Sequence, residues 1–472
     1  MDSITTELAR FAVETRWEDL PPAVVKETKL VLLDTIGCGL GALSTEKGKM
    51  NVALARRFGG PPESSIIGTG DKVGCSNAAF ANGELFITLD YSNIMAGGHD
   101  GVYVIPSVLA IAESVGASGK DFLLATALGL EISSRIARAV GRHNITPEAV
   151  QRQRTAQAGP TGNAYSNFGA AVGTGRLLKL GREKMLHALG VASHLCMVLS
   201  YARWGFGKDR YSAKYAVPGW QSTGAIAGTL LAEMGYTGDT TVLDDPDRGF
   251  AYFAGYRNWY PQEIMDGLGK DWCFNIRLHY KPYPCCAVFH GALDCFTSIV
   301  QKNDLKPEEI ESVKAFGRGG MDSPLFGRKE VDTISAAQFN PRYNIAVAAH
   351  RVPVGVEWLE PQTMKHPGIL KFMDKITCLA HPDYLQELQK DPISNLSKAE
   401  VVARGATFIE ERKHRRGTTG TPAALSDDEI IAKFRHNAAR VLSADKTDRA
   451  VRDFLDLEKV DSLSQLVRDI TA

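Results

Sequence analysis

The chain reads as a mainly α protein: a long helical part, then a smaller α+β part, then a helical tail. Three observations predict this order. Apolar residues recur at three- and four-residue spacing through most of residues 20–267. Period-two alternation is confined to later segments. A capping box then opens a last helical run at Ser426-Asp427-Asp428-Glu429. At 472 residues the chain exceeds what one ordinary core supports, so two domains are expected.

Taken in order, residues 25–43 place Leu30, Leu33, Ile36 and Leu40 on one helical face. The run Gly37-Cys38-Gly39-Leu40-Gly41 inside it lacks the G-x-G-x-x-G spacing and follows no strand, so it reads as packing glycines, not a dinucleotide site. Residues 89–101 read as a helix end and a glycine turn, feeding a helix that starts at Pro106. Residues 122–140 repeat the apolar face through Leu124, Ala127, Leu130, Ile132 and Ile136. Residues 168–175 and 224–231 read as helices stripped of bulk. Each interior Gly costs about 1 kcal/mol relative to Ala, so close backbone packing is expected in return.

Residues 310–316 alternate as a strand, and residues 400–411 supply strand residues Val401, Val402, Ala406, Phe408 and Ile409. Residues 335–349 and 361–376 between them are helix-like. Gly317-Arg318-Gly319-Gly320 reads as a turn, and the basic stretch 413–421 as a loop. The last helical run ends near Leu442, and such a tail can return to the first domain.

Composition excludes several classes. Lys+Arg 54 balances Asp+Glu 54, leaving no nucleic-acid footprint and no surface for acidic membranes. The start, Met1-Asp2-Ser3-Ile4-Thr5-Thr6-Glu7, has no basic or apolar leader pattern, and no run of about 18 apolar residues suggests a membrane span. The eight cysteines are scattered without C-x-x-C or Cys/His ligand spacing. That argues against a zinc site and a disulfide framework, and a reducing cytoplasm is expected.

Three stretches carry candidate chemistry. Lys281-Pro282-Tyr283-Pro284-Cys285-Cys286, with His290, gathers a cation, a phenol, two thiols and an imidazole on backbone that two prolines hold out of helix. It reads either as the wall of a site or as a linker with a solvated lysine and core cysteines. Asp90 and His99, nine residues apart, could be an acid/base pair, or His99 and Asp100 could be local helix caps. The stretch 204–214 brings Lys208, Arg210 and Lys214 to the entrance of a small-residue helix. This placement suits a carboxylate substrate, with surface solvation as the alternative.

Four matches in order resemble the MmgE/PrpD family across nearly the whole chain. They are Leu33-Asp34-Thr35-Ile36-Gly37; Leu89-Asp90 to His99 with residues 104–113; Phe168-Gly169-Ala170-Ala171 with Lys214; and Lys281-Pro282-Tyr283-Pro284-Cys285 with His290. The family includes 2-methylcitrate dehydratase, cis-aconitate decarboxylase and iminodisuccinate epimerase. The resemblance implies a large helical domain (1–277, completed by 425–472), an α+β lid (278–424), a homodimer, and no metal or other cofactor. It implies proton movement beside a carboxylate of a small di- or tricarboxylic acid. Asp90, His99, Lys214, Lys281 and Tyr343 would be catalytic, and Lys208, Arg210, Tyr283 and His290 would bind substrate. Dehydration is the leading expectation, then epimerisation of an amino- or imino-dicarboxylate, then decarboxylation. A catalytically inactive binding homologue is the reading from another class.

The sequence also departs from the family. Ser92, Asn93 and Ile94 follow Asp90 where further Asp residues and a Thr are usual, and Asp100 follows His99. Gly159-Pro160-Thr161 stands where a His is usual, and Tyr215 and Val217 replace an Arg and a His. These changes remove titratable groups, which Arg152, Arg154, Arg203 and Arg210 could in part replace.

Overall fold

Helices begin where side chains can take up the first free amides. The computed structural model describes residues 3–95, 98–141, 163–197, 212–213, 217–256, 258–275, 278–318, 321 and 326–472. Ser3 caps α1 (Ile4–Glu14), Pro22 occupies the first turn of α2 (Pro22–Ala42), and Thr45 caps α3 (Glu46–Phe58). A two-residue ladder, β1 (Ser64–Ser65) with β2 (Lys72–Val73), leads into α4 (Cys75–Thr88). Next come α5 (Asp100–Ser114), α6 (Gly119–Ala139), α7 (Ser166–Leu177), α8 (Arg182–His194) and α9 (Pro218–Glu233).

The small-residue helices pack as their composition implies. A Cβ on Gly169 of α7 would strike the Gly129 carbonyl of α6, and one on Gly173 would strike Val108 of α5. The glycines of α2 are packing glycines too: a Cβ on Gly37 would lie 2.8 Å from Phe434, and one on Gly39 2.6 Å from Phe86. The helix expected to start at Pro106 starts six residues earlier, at Asp100, with Pro106 inside it. The proline cannot donate to the Val102 carbonyl, and Ser222 Oγ donates to the adjacent Tyr103 carbonyl at 2.9 Å.

The later part contains α10 (His290–Lys302), β3 (Ile310–Gly317), α11 (Pro341–Ala349), β4 (Ile376–Ala380), α12 (Tyr384–Lys390), β5 (Ser397–Ala403) and β6 (Ala406–Arg412). Its sheet has the order β4-β3-β5-β6, with β4 parallel to β3 and the other pairs antiparallel. The inner face (Val313, Ala315, Ala399, Val401) is buried, and α10 packs on it.

Three expectations change here. Residues 400–411 are not one strand but the hairpin of β5 and β6, turning at Arg404 (φ 52) and Gly405 (φ 72). Two left-handed residues are what the hairpin turn requires, and Arg in place of Asn or Asp hid it. Residues 361–376 are not one helix: Pro361–Met364 and Pro367–Phe372 are separate short helices, and Ile376 already begins β4. Residues 335–349 are two helices, because Asn340 caps α11 with its own side chain.

The tail closes the molecule. Ser426 and Glu429 form the expected capping box of α13 (Asp427–Ala438), followed by α14 (Ala444–Leu455) and α15 (Leu463–Asp469). Helices α13 and α14 pack on α2, and α15 on α5. Buried apolar side chains from Leu8 to Ile470 join in a continuous core that spans the helices and the sheet. None of the eight cysteines is in a disulfide. Among the described residues, no helix is long and apolar enough to cross a membrane.

Candidate active site

Three chain segments lie edge to edge at the end of α4. Ile94 and His279 exchange both main-chain hydrogen bonds at 2.9 Å, and His279 bridges to Thr418 on its other side. Tyr280 N donates to the Gly417 carbonyl at 2.9 Å; Gly417 has φ 96, and a Cβ there would strike the Tyr280 carbonyl. These contacts bring the loop after Asp90, the segment around Lys281 and the basic loop 413–421 together.

The centre is an aspartate, a lysine and a histidine. Asp90 follows α4 in the left-handed region (φ 49), a conformation Asp tolerates better than most residues. Lys281 Nζ lies 2.8 Å from Asp90 Oδ1 and donates to the Asp90 carbonyl at 2.7 Å. His99 Nε2 is 3.8 Å from the same Oδ1. All three residues are buried, Lys281 at 1% exposure, which removes the solvated-linker reading of that segment. The capping alternative for His99 and Asp100 also fails. His99 makes no side-chain cap bond, and Asp100 Oδ1 accepts Tyr165 Oη at 2.9 Å and Ser166 Oγ at 3.1 Å.

A second buried pair supports the first, and sequence reasoning missed it. Lys433 Nζ on α13 lies 2.7 Å from Asp34 Oδ1 on α2. It also donates to the carbonyls of Tyr91 (2.6 Å) and Lys281 (3.0 Å), and sits 3.8 Å from the Tyr91 ring centroid. Lys433 thus fastens the residue after Asp90 and Lys281 itself to one point. Asn93 completes the junction, donating to Asp34 Oδ2 from its main chain (2.8 Å) and its side chain (2.9 Å). An aspartate at 93 could not donate the side-chain bond, so this departure from the family has a local reason. The available signal was Asp34 itself, a carboxylate flanked by Leu32, Leu33 and Ile36 on an apolar helix.

The remaining candidates divide. His290 Nε2 faces the Cys285 carbonyl at 3.2 Å, so that nitrogen carries the proton. Burial, then the Lys281 and Arg415 charges, hold His290 well below its ordinary range. Tyr283 donates to Asp294 Oδ1 at 2.9 Å, stacks on Trp358 and meets the His290 ring edge-on at 5.3 Å. Tyr343 donates to the Trp358 carbonyl at 2.5 Å, and burial raises its phenol. Lys208, Arg210 and Lys214, with Arg152, Arg154 and Arg203, lie outside the described residues. Arg415, which the sequence placed only in a basic loop, donates to the Ala287 carbonyl at 2.9 Å and acts on both His279 and His290.

A cavity of about 310 Å³ opens beside Thr88, the last residue of α4, and is also lined by Lys47, Ser335, Gln338 and Met364 among others, but by none of Asp90, His99 and Lys281. Gln338 joins its walls, donating to the Thr88 carbonyl (2.8 Å) and accepting from Cys286 N (3.0 Å). Among the described residues, no three His, Cys, Asp or Glu side chains are grouped as a metal ion requires.

The fold and site define a class: an α-rich protein with a small mixed sheet and a buried acid–ammonium–imidazole cluster where three loops meet. Residues 6–262 match the MmgE/PrpD N-terminal domain and residues 283–457 the MmgE/PrpD C-terminal domain, so the chain belongs to the MmgE/PrpD family. Among its relatives, a cis-aconitate decarboxylase-like protein of Aspergillus oryzae is 25% identical over 98% of this chain and 96% of its own. The cis-aconitate decarboxylase of Aspergillus terreus is 27% identical over 63% of this chain and 60% of its own. That of Homo sapiens is 22% identical over 99% and 94%.

Proposed function

We propose that the chain is a lyase that removes CO2 from a small unsaturated di- or tricarboxylic acid. The observation that carries this is the buried Asp90–Lys281–His99 cluster at the positions of the family motifs. Relatives named as cis-aconitate decarboxylases move decarboxylation ahead of the dehydration that the motifs first suggested.

Loss of CO2 leaves an electron pair on carbon, which a neighbouring carboxylate can hold only if cations offset the charge. Lys281 supplies one such cation, and Lys214, Lys208 and Arg210 are proposed to supply others. An entering substrate carboxylate competes with Asp90 for the Lys281 ammonium. Asp90 released from Lys281 is then a stronger hydrogen-bond acceptor for His99 and holds that imidazole where it can donate to the carboxylate that takes the charge. Tyr283 and His290 are proposed to shape the substrate pocket, and Tyr343 can donate a proton only by exchanging its bond to the Trp358 carbonyl. The working unit is proposed to be a homodimer.

Dehydration and epimerisation pass through a similar carbanion, so one experiment separates the three. Unsaturated and hydroxylated di- and tricarboxylates are incubated with the protein in D2O. Release of CO2 with one deuterium on product carbon supports the proposal. A new alkene without CO2 supports dehydration, and deuterium with inverted configuration supports epimerisation. No turnover or exchange on any acid supports the inactive binding homologue.

A further inference from the structure

His279 belongs to no role assigned so far, yet its surroundings are those of a working group. Its main chain is fixed by Ile94 on one side and bridged to Thr418 on the other. On extended backbone, residues two apart project to the same side. His279 and Lys281 therefore share a face, while Tyr280 between them turns away to Glu27 Oε1 at 2.5 Å. The His279 side chain is 1% exposed, and its ring centroid is 5.5 Å from that of His290. Among the described residues, neither of its ring nitrogens has a hydrogen-bond partner.

Buried polar groups in folded proteins nearly always find partners, so an imidazole with two empty nitrogens beside a cationic cluster points to a ligand. The groups acting on it are Arg415, His290, Lys281 and Lys433, with Asp90 beyond Lys281. Burial, then these cations, hold the ring well below its ordinary range, so it is neutral at pH 7. His290 is less suited to give a proton, because its N–H faces the Cys285 carbonyl.

We propose that His279 takes up a solvent proton when a polycarboxylate binds beside Lys281 and Arg415, and returns that proton to the carbon that loses CO2. This rests on the decarboxylase reading above. A bound polyanion reverses the local field and offers an acceptor to the imidazolium. The C–C bond breaks as CO2 leaves, and its electron pair stays on the substrate, spread over a neighbouring carboxylate. That pair then forms the new C–H bond while the His279 N–H bond breaks. The ring is left neutral, and each turnover consumes one proton.

The test is calorimetric binding of tricarballylate, a saturated tricarboxylate, at pH 7.5 in two buffers of different ionisation enthalpy. The wild type is expected to take up about one proton per site, and His279→Gln to lose most of that uptake while still binding. The variant is also expected to lose about 100-fold in kcat on a reactive acid, with KM little changed. Equal uptake in both proteins overturns the role of His279 and leaves the decarboxylase reading standing. Binding without uptake in the wild type overturns it too, whether or not the variant folds. If neither tricarballylate nor any reactive acid binds, the carboxylate site itself is overturned, and this inference with it.

Discussion

Lys281 grips Asp90 at two points, with its ammonium 2.8 Å from the carboxylate and 2.7 Å from the main-chain carbonyl of the same residue. One side chain thus fixes both the charge and the backbone of the turn that follows α4. Burying such a pair is costly, and the geometry offsets the cost only while both partners are present.

Lys281→Met removes the ammonium that offsets the buried Asp90 carboxylate. The unfolding free energy is expected to fall by about 3–5 kcal/mol at neutral pH. Lys281→Met combined with Asp90→Asn is expected to recover most of it, because the second change removes the buried charge that the Lys281 ammonium offset. Urea unfolding of the two single variants and the double variant checks this. Additive losses would show that the pair is not coupled.

Lys433→Met is expected to act on the loops as well as on stability. Its ammonium joins Asp34 to the Tyr91 and Lys281 carbonyls. Its removal should speed hydrogen exchange at the Ile94 and His279 amides, which pair across the same junction, by about tenfold or more. Unchanged protection at those two amides would contradict the fastening role.

Gly169→Ala forces a Cβ against the Gly129 carbonyl and Ser133. Overpacking of this kind typically costs about 1–3 kcal/mol. Gly70→Ala is the matched control, since nothing lies within 4 Å of its Cβ position. It is expected to be neutral or to stabilise by about 0.4–1 kcal/mol through the unfolded state. Thermal unfolding of the two variants should move in opposite directions or leave only Gly169→Ala shifted.

Burial raises the Asp294 carboxyl to about 6. The folded protein therefore binds this proton more tightly than the unfolded chain, whose Asp titrates near about 3.9. The stability this group contributes is full below about pH 4 and is lost as pH rises through 6, a swing of at most about 3 kcal/mol. The difference in unfolding free energy between wild type and Asp294→Asn should therefore change across pH 4–7. A constant difference over that range would contradict the raised value. Asp294 also holds Arg416 N at 2.7 Å, beside Arg415, so loop 413–421 is expected to respond to the same titration.

The helices were readable because their signals are local: periodic faces, the Ser426–Glu429 box, and glycines whose only use is close packing. Signals that depend on turn geometry were not readable. Arg404-Gly405 takes a hairpin conformation that its first residue does not advertise, and β4 lies at the end of a stretch broken by Pro367. The site was half legible. Asp90, His99 and Lys281 stood out through motif order, and the structure brings them together. Lys433 did not stand out, because on an amphipathic helix a lysine reads as solvated. Only the packing of α13 on α2 places it on Asp34, 399 residues away by number (433 − 34). His279 carried no signal either, since its meaning lies in two nitrogens left without partners.

The central claim is that the Asp90–Lys281–His99 cluster performs carboxylate chemistry. The most direct measurement is turnover, on the acid identified in D2O, by His99→Ala set beside the wild type, with circular dichroism confirming that the variant is folded. The account expects a loss of about 100-fold or more, since removing one hydrogen-bond donor to the developing charge typically costs at least that much. Turnover within about threefold of wild type would contradict it, because His99 could then be holding no charge that develops in the reaction.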